Sequence, residues 1–192
     1  MYRTIALGLL RAGTDIEDAA ALEKQLSDIE VTISYENGVQ QVFLNGENVT
    51  GLIRTEQVSD MTSRSSAKPQ VRAKLTELQR TLAKKEDVLM DGRDIGTMIL
   101  PDAQLKIFLT ASVKTRAERR YKEQIEKGES CTLEEIERDI KERDYRDSHR
   151  ETAPLRRAED AVLVDSSDMT INEVVTEIVA LARERMQTAT CR

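Results

Sequence analysis

On a helix, residues three or four apart share a face. Ile136, Ile140, Arg143, Asp147 and Arg150 follow that spacing, and at about 100° per residue they fall within a narrow arc. The apolar stripe that should meet the core therefore runs straight into two arginines and a carboxylate. A charge turned inward needs a partner. Two guanidiniums around one carboxylate leave about one positive charge for an anionic ligand. A structural ion-pair network is the competing reading of the same spacing.

A second group is Met90-Asp91-Gly92-Arg93-Asp94-Ile95-Gly96-Thr97. It follows a short apolar run, residues 87–90, expected to be a buried strand. Ligands of open α/β sheets collect beyond the carboxyl ends of the strands, where this turn would lie; the competing reading is a tight turn bent by its glycines. Arg72 sits beside Leu75 on the inner half of its helix, although snorkelling of its stem also explains such a placement. Together these clusters supply planar donors matched to a phosphate and carboxylates able to accept from a sugar or base. With one histidine, His149, and no nucleophile and base pair, the set fits phosphoryl transfer, where the protein mainly orients groups and neutralises charge.

The rest of the composition narrows the classes. The chain has 192 residues, 39% hydrophobic and 33% charged, with 29 Lys plus Arg against 35 Asp plus Glu and a net charge of −6. That is enough for one ordinary domain, with room for a small inserted one. It is too apolar for disorder and too charged for a membrane protein, so a soluble, cytoplasmic protein is expected, with no membrane partner. The acidic balance argues against a general nucleic-acid binder. Cys131 and Cys191 are not at metal-ligand or disulfide-framework spacing, so two free thiols are expected. No metal ligands are assigned. Asn48-Val49-Thr50 fits a glycosylation acceptor, a pattern that matters only in secreted chains.

The elements that must carry these residues are legible from periodicity. Tyr2, Ile5, Leu9 and Leu10 mark a helix stopped by Gly13, and Thr14 with Glu17 predicts a capping box for a helix running to about residue 27. Residues 29–35 and 42–44 alternate around Asn37-Gly38, a strong hairpin signal, before Asn45-Gly46. Helices follow over 55–64 and from Pro69, the latter with Val71, Leu75, Leu78 and Leu82 inward. The apolar runs 87–90, 105–109 and 161–164 predict short buried strands alternating with helices, hence a parallel α/β sheet. Residues 114–150 carry cancelling charges, split into two helices by Gly128 and the box Thr132-x-x-Glu135. Thr170-x-x-Glu173 caps a last helix with Val174, Ile178 and Leu181 inward.

Read in order, Tyr2-Arg3, the segment from Asn45-Gly46 to Arg54-Thr55, Pro69-Gln70-Val71-Arg72, Asp91-Gly92-Arg93-Asp94-Ile95-Gly96-Thr97, Pro101-Asp102-Ala103, Lys106-Ile107-Phe108-Leu109 and Arg143-Asp144-Tyr145-Arg146-Asp147 with Arg150 resemble the bacterial cytidylate kinase family. The resemblance covers essentially the whole chain. It implies transfer of the terminal phosphoryl group of ATP, with Mg2+, to CMP or dCMP. It also implies an α/β fold of the P-loop nucleoside monophosphate kinase type, a parallel sheet flanked by helices. The core would comprise 1–27, 86–113 and 151–192, with 28–85 as an antiparallel-β and helical CMP-binding insert and 114–150 as a helical lid.

Carried over residue by residue, the resemblance assigns Arg3, Arg93 and Arg150 to the CMP phosphate, Ser63, Arg72 and Asp94 to cytosine, and Arg143 and Asp147 to the ribose. Arg143 and Arg150 would be the catalytic pair, and Arg116 and Arg120 would contact ATP. The complete enzyme is expected to be a monomer. Nothing in the 192 residues matches the G-x-x-x-x-G-K-S/T loop that begins family members. The expectation is therefore a chain without the family's first strand and P-loop, poorly stable and without useful turnover alone. The alternatives are a CMP-binding remnant without activity and a helical protein-interaction module.

Overall fold

A computed structural model describes residues 1–190, with side chains to residue 188; Cys191 lies outside the described residues. The chain divides into two compact units, Met1–Val88 and Leu89–Arg192.

Unit 1 begins with α1 (Tyr2–Arg11) and α2 (Ala19–Ser27). The expected Thr14 cap is not used. Asp18 caps α2 instead, its carboxylate accepting from the backbone N–H of Ala20 and Ala21 at 2.9 and 3.1 Å, as the stronger N-cap preference of Asp over Thr dictates. The antiparallel sheet comprises β1 (Val31–Glu36), β2 (Val39–Leu44) and the unforeseen short β3 (Glu47–Asn48). Asn37 and Gly38 both take positive φ, 52° and 77°, the conformation a two-residue hairpin turn demands. Then come α3 (Glu56–Ser65), capped by Thr55, and α4 (Pro69–Lys85), opened by its proline. Ile5, Leu9, Leu22, Val49, Val58, Val71 and Leu75 fill a continuous core at 2% exposure or less.

Unit 2 contains β4 (Ile107–Thr110), α5 (Val113–Glu126), α6 (Leu133–His149), β5 (Val162–Asp165) and α7 (Ile171–Thr190). β4 and β5 pair in parallel, Ile107 opposite Val162 and Thr110 opposite Asp165, with α5 and α6 in the crossover that parallel pairing requires. Thr132 and Glu135 form the expected capping box. Thr170 and Glu173 exchange bonds in the same way at the start of α7. Val174, Ile178 and Leu181 are half-buried rather than buried. The predicted strand at 87–90 is absent: a strand is defined by its ladder, these residues pair with no strand among the described residues, and Leu89 is 90% exposed.

Candidate active site

The loop after residue 90 turns sharply. A Cβ on Gly92 would come within 2.8 Å of Ile95 Cγ1, so the turn is built around glycine. It continues into a single π-helical turn, Ile95–Ile99, an uncommon conformation often met at functional sites. Asp94 is buried at 6% exposure, and the Arg93 Nε donates to Asp147 Oδ2 at 3.1 Å. The same carboxylate oxygen lies 3.8 Å from Arg143 Nε. The loop thereby meets the end of α6, which periodicity alone had set inward. Asp147 and Arg150 do face inward, their side chains 20% and 21% exposed. Arg143 does not: at 58% exposure it reaches Asp147 from the solvent side.

Arg150 terminates α6, and its Nε donates to the Ala153 carbonyl at 2.6 Å. Ala153 holds φ at 51°, a left-handed conformation uncommon for a residue with a Cβ. The Arg150 Nη2 lies 3.8 Å from Asp94 Oδ1, beyond hydrogen-bond reach. This nitrogen is buried and meets no hydrogen-bond partner among the described residues. A buried guanidinium N–H left unsatisfied is costly unless a ligand completes it.

Arg116 is held three ways. Its Nη1 and Nη2 donate to the two oxygens of Asp144 at 3.0 and 2.7 Å, and its Nε donates to the Ala111 carbonyl at 2.9 Å. Arg120 is exposed on α5. A cavity of about 650 Å³ opens within unit 2, lined by Gly92, Arg93, Thr97, Phe108, Arg116 and Arg156 among others.

Unit 1 carries the remaining predicted residues. Arg3 donates through Nη1 to the Ile53 carbonyl at 3.0 Å and to Ser59 Oγ at 2.9 Å. Arg72 is 7% exposed, so its guanidinium does not snorkel; it lies 6.0 Å from the Tyr2 ring centroid, within cation–π range. Ser63 is exposed on α3. Ser59, Asp144 and Ala153 escaped sequence reasoning. Arg116 and Asp144 are 28 positions apart, and Arg3 and Ser59 are 56 apart, so no helical period relates them.

A family model described as Cytidylate kinase matches residues 1–184. The chain belongs to the cytidylate kinase family. A cytidylate kinase of Ligilactobacillus salivarius (strain UCC118) is 48% identical over 185 residues, covering 96% of this chain and 83% of that protein. One from Streptococcus pneumoniae (strain 70585) is 46% identical over 187 residues, with 97% and 84% covered. One from Cupriavidus pinatubonensis is 47% identical over 179 residues, with 93% and 79% covered. Family membership makes the chain a phosphotransferase homologue, the class of chemistry its clustered arginines suit.

Among the described residues no group of three or more His, Cys, Asp or Glu side chains converges, and Asp147 and Asp144 are already engaged by arginines. No helix of the described residues is long and apolar enough to cross a membrane. Cys131 is a free thiol, half-buried against Ala117, Ile136 and Ile140.

Proposed function

We propose that the chain acts as a cytidylate kinase, the activity its family match supports over the expectation of a chain without useful turnover, passing the terminal phosphoryl group of ATP to CMP or dCMP to give CDP or dCDP, on a P-loop nucleoside monophosphate kinase fold. The observation that carries this reading is the buried, unsatisfied Nη2 of Arg150 beside Arg93, Asp94 and Asp147. Three arginines and two carboxylates in this cluster (Arg93, Arg143, Arg150; Asp94, Asp147) leave one net positive charge. That suits an acceptor phosphate whose oxygen must approach a second anionic phosphoryl group.

In this reading Arg3, Arg93 and Arg150 hold the CMP phosphate and neutralise it, keeping the attacking oxygen in line. Arg143 and Asp147 take the ribose, and Asp147 must exchange part of its bond with Arg93 for the sugar hydroxyls. Ser63, Arg72 and Asp94 read cytosine: a buried donor and a buried acceptor left unpaired by the wrong base give the discrimination. Arg116 and Arg120 serve ATP, Arg116 from its bond to Asp144. Residues 28–85 would form the CMP-binding region and 114–150 the lid. Magnesium, when bound with ATP, supplies further charge neutralisation on the donor phosphates. A reducing cytoplasm fits the free Cys131 thiol, and the working form in this reading is a monomer.

The test is calorimetric titration of the purified protein with CMP, dCMP, UMP and cytidine, with CDP formation from ATP and magnesium followed in parallel. CMP is expected to bind tighter than both UMP and cytidine. Equal affinity for CMP and UMP would overturn the cytosine assignment, and no binding of CMP would overturn the reading as a whole.

A further inference from the structure

A phosphate-binding arginine is effective when its fork is fixed before the ligand arrives, because ordering a long side chain on binding subtracts from affinity. Arg3 is fixed in this way. Both of its contacts in unit 1 use Nη1: the Ile53 carbonyl at 3.0 Å and Ser59 Oγ at 2.9 Å. The direction of the second is set by its neighbour. The Ser59 hydroxyl donates its proton to the Thr55 carbonyl at 2.8 Å, so it faces Arg3 as an acceptor. Ser59 stands in the first turn of α3, anchored on one side by buried Val58 and on the other by Thr55, whose side chain caps that turn by accepting from the Val58 N–H at 3.3 Å.

The hydroxyl thus links a fixed helix start to the Arg3 guanidinium. Nε and Nη2 of Arg3 meet no hydrogen-bond partner among the described residues and stay available for an anion. We propose that Ser59 is a positioning residue that aims Arg3 at the acceptor's phosphate. This rests on the reading of Arg3 given above. Ser59 itself touches no substrate in this proposal, so its removal should affect only ligands that carry a phosphate.

The experiment is a double-mutant cycle read by calorimetry, with CMP and cytidine as ligands and thermal unfolding as the control. Ser59→Ala is expected to weaken CMP about tenfold, the scale of one hydrogen bond to a charged group, and to leave cytidine affinity and the melting temperature unchanged. Arg3→Ala is expected to weaken CMP at least as much. In the Arg3→Ala background, Ser59→Ala should add nothing, because its effect passes through the missing guanidinium. If Arg3→Ala leaves CMP affinity intact, the reading of Arg3 fails and the proposal with it. If Arg3→Ala weakens CMP while Ser59→Ala does not, the reading stands and the positioning role is overturned. Equal losses for CMP and cytidine in Ser59→Ala, or additive losses in the cycle, would also overturn it.

Discussion

Unit 1 encloses sixteen buried apolar side chains in one cluster drawn from helices and sheet alike, whereas the main cluster of unit 2 is Ala117, Ile136 and Ile140. In unit 2, Leu89, Ile171 and Met186 stand at 90%, 82% and 69% exposure. Its geometry is held instead by polar ties: Arg116 on Asp144, Arg93 on Asp147, Arg119 on the Ser166 carbonyl and Lys106 on Asp160. The predicted site residues of the two units thus rest on different physics. Arg72 is enclosed by close packing and donates to the Ser66 carbonyl at 3.4 Å, whereas Arg150 donates to the Ala153 carbonyl and stands among charges, whose interactions weaken with ionic strength.

The largest expected effect tests the packed half. Leu75 is fully buried, so Leu75→Ala should destabilise unit 1 by about 2–5 kcal/mol. Leu163→Ala, at a residue 49% exposed on β5, should cost below about 1 kcal/mol. Denaturant unfolding measures both, and amide exchange should find unit 2 opening at lower free energy than unit 1. Comparable losses from the two substitutions would break the contrast.

Next come the charges. Asp147→Ala removes the carboxylate that accepts from Arg93 and forms a longer ion pair with Arg143, and should weaken CMP by about 1–3 kcal/mol while the melt of unit 1 stays put. Arg150→Ala should depress turnover more than binding, since its place is on the phosphate under attack. Raising salt should weaken CMP binding in the wild type, and by a smaller factor in Arg150→Ala. A salt response unaltered by the substitution would remove Arg150 from the phosphate.

The sequence disclosed most of what depends on neighbours along the chain. Asn37-Gly38 specified its turn, and Thr132 and Thr170 their caps, because those devices act within four residues; at α2 two local candidates competed, and Asp18 displaced Thr14. Arg72 and the Asp147–Arg150 end of α6 were legible because an apolar stripe was interrupted by charge. The run 87–90 misled because apolar content marks a tendency to be a strand and cannot supply a ladder partner. Arg116 with Asp144, and Arg3 with Ser59, were hidden because only the tertiary fold brings them together. Arg143 was misplaced by one notch of rotation: it shares the arc of Asp147 but sits at its solvent edge.

The caps offer a smaller test of the same contrast. Thr132→Ala in α6 and Thr55→Ala in α3 each remove one N-cap, worth about 1 kcal/mol. Buried residues back both starts, Val58 and Met61 in α3 and Ile136 in α6, but those of α3 belong to the larger cluster and should mask more of the loss. Amide exchange should show more fraying at the start of α6.

The smallest effect separates two exposed ion pairs, one in each unit. Glu47 is held below its ordinary range first by its hydrogen bonds from Arg11, and Asp160 first by its bond from Lys106. A carboxylate whose folded pKa is depressed contributes stability that is present above its unfolded pKa, about 4, and lost as pH falls through the lower folded value. Both Glu47→Gln and Asp160→Asn should therefore lower the melting temperature slightly at neutral pH, and both differences should vanish in acid. The pairs differ in their cations. The Arg11 side chain is 42% exposed and can return to water, whereas that of Lys106 is only 8% exposed and, without Asp160, keeps the Pro101 carbonyl as its remaining hydrogen-bond partner among the described residues. Asp160→Asn should accordingly cost more than Glu47→Gln at pH 7, because it strands a shielded ammonium. Melting curves of the two variants and the wild type between pH 3 and 7, about the range over which such carboxylates titrate, decide it: a larger loss from Glu47→Gln would place the charge-dependent half in unit 1.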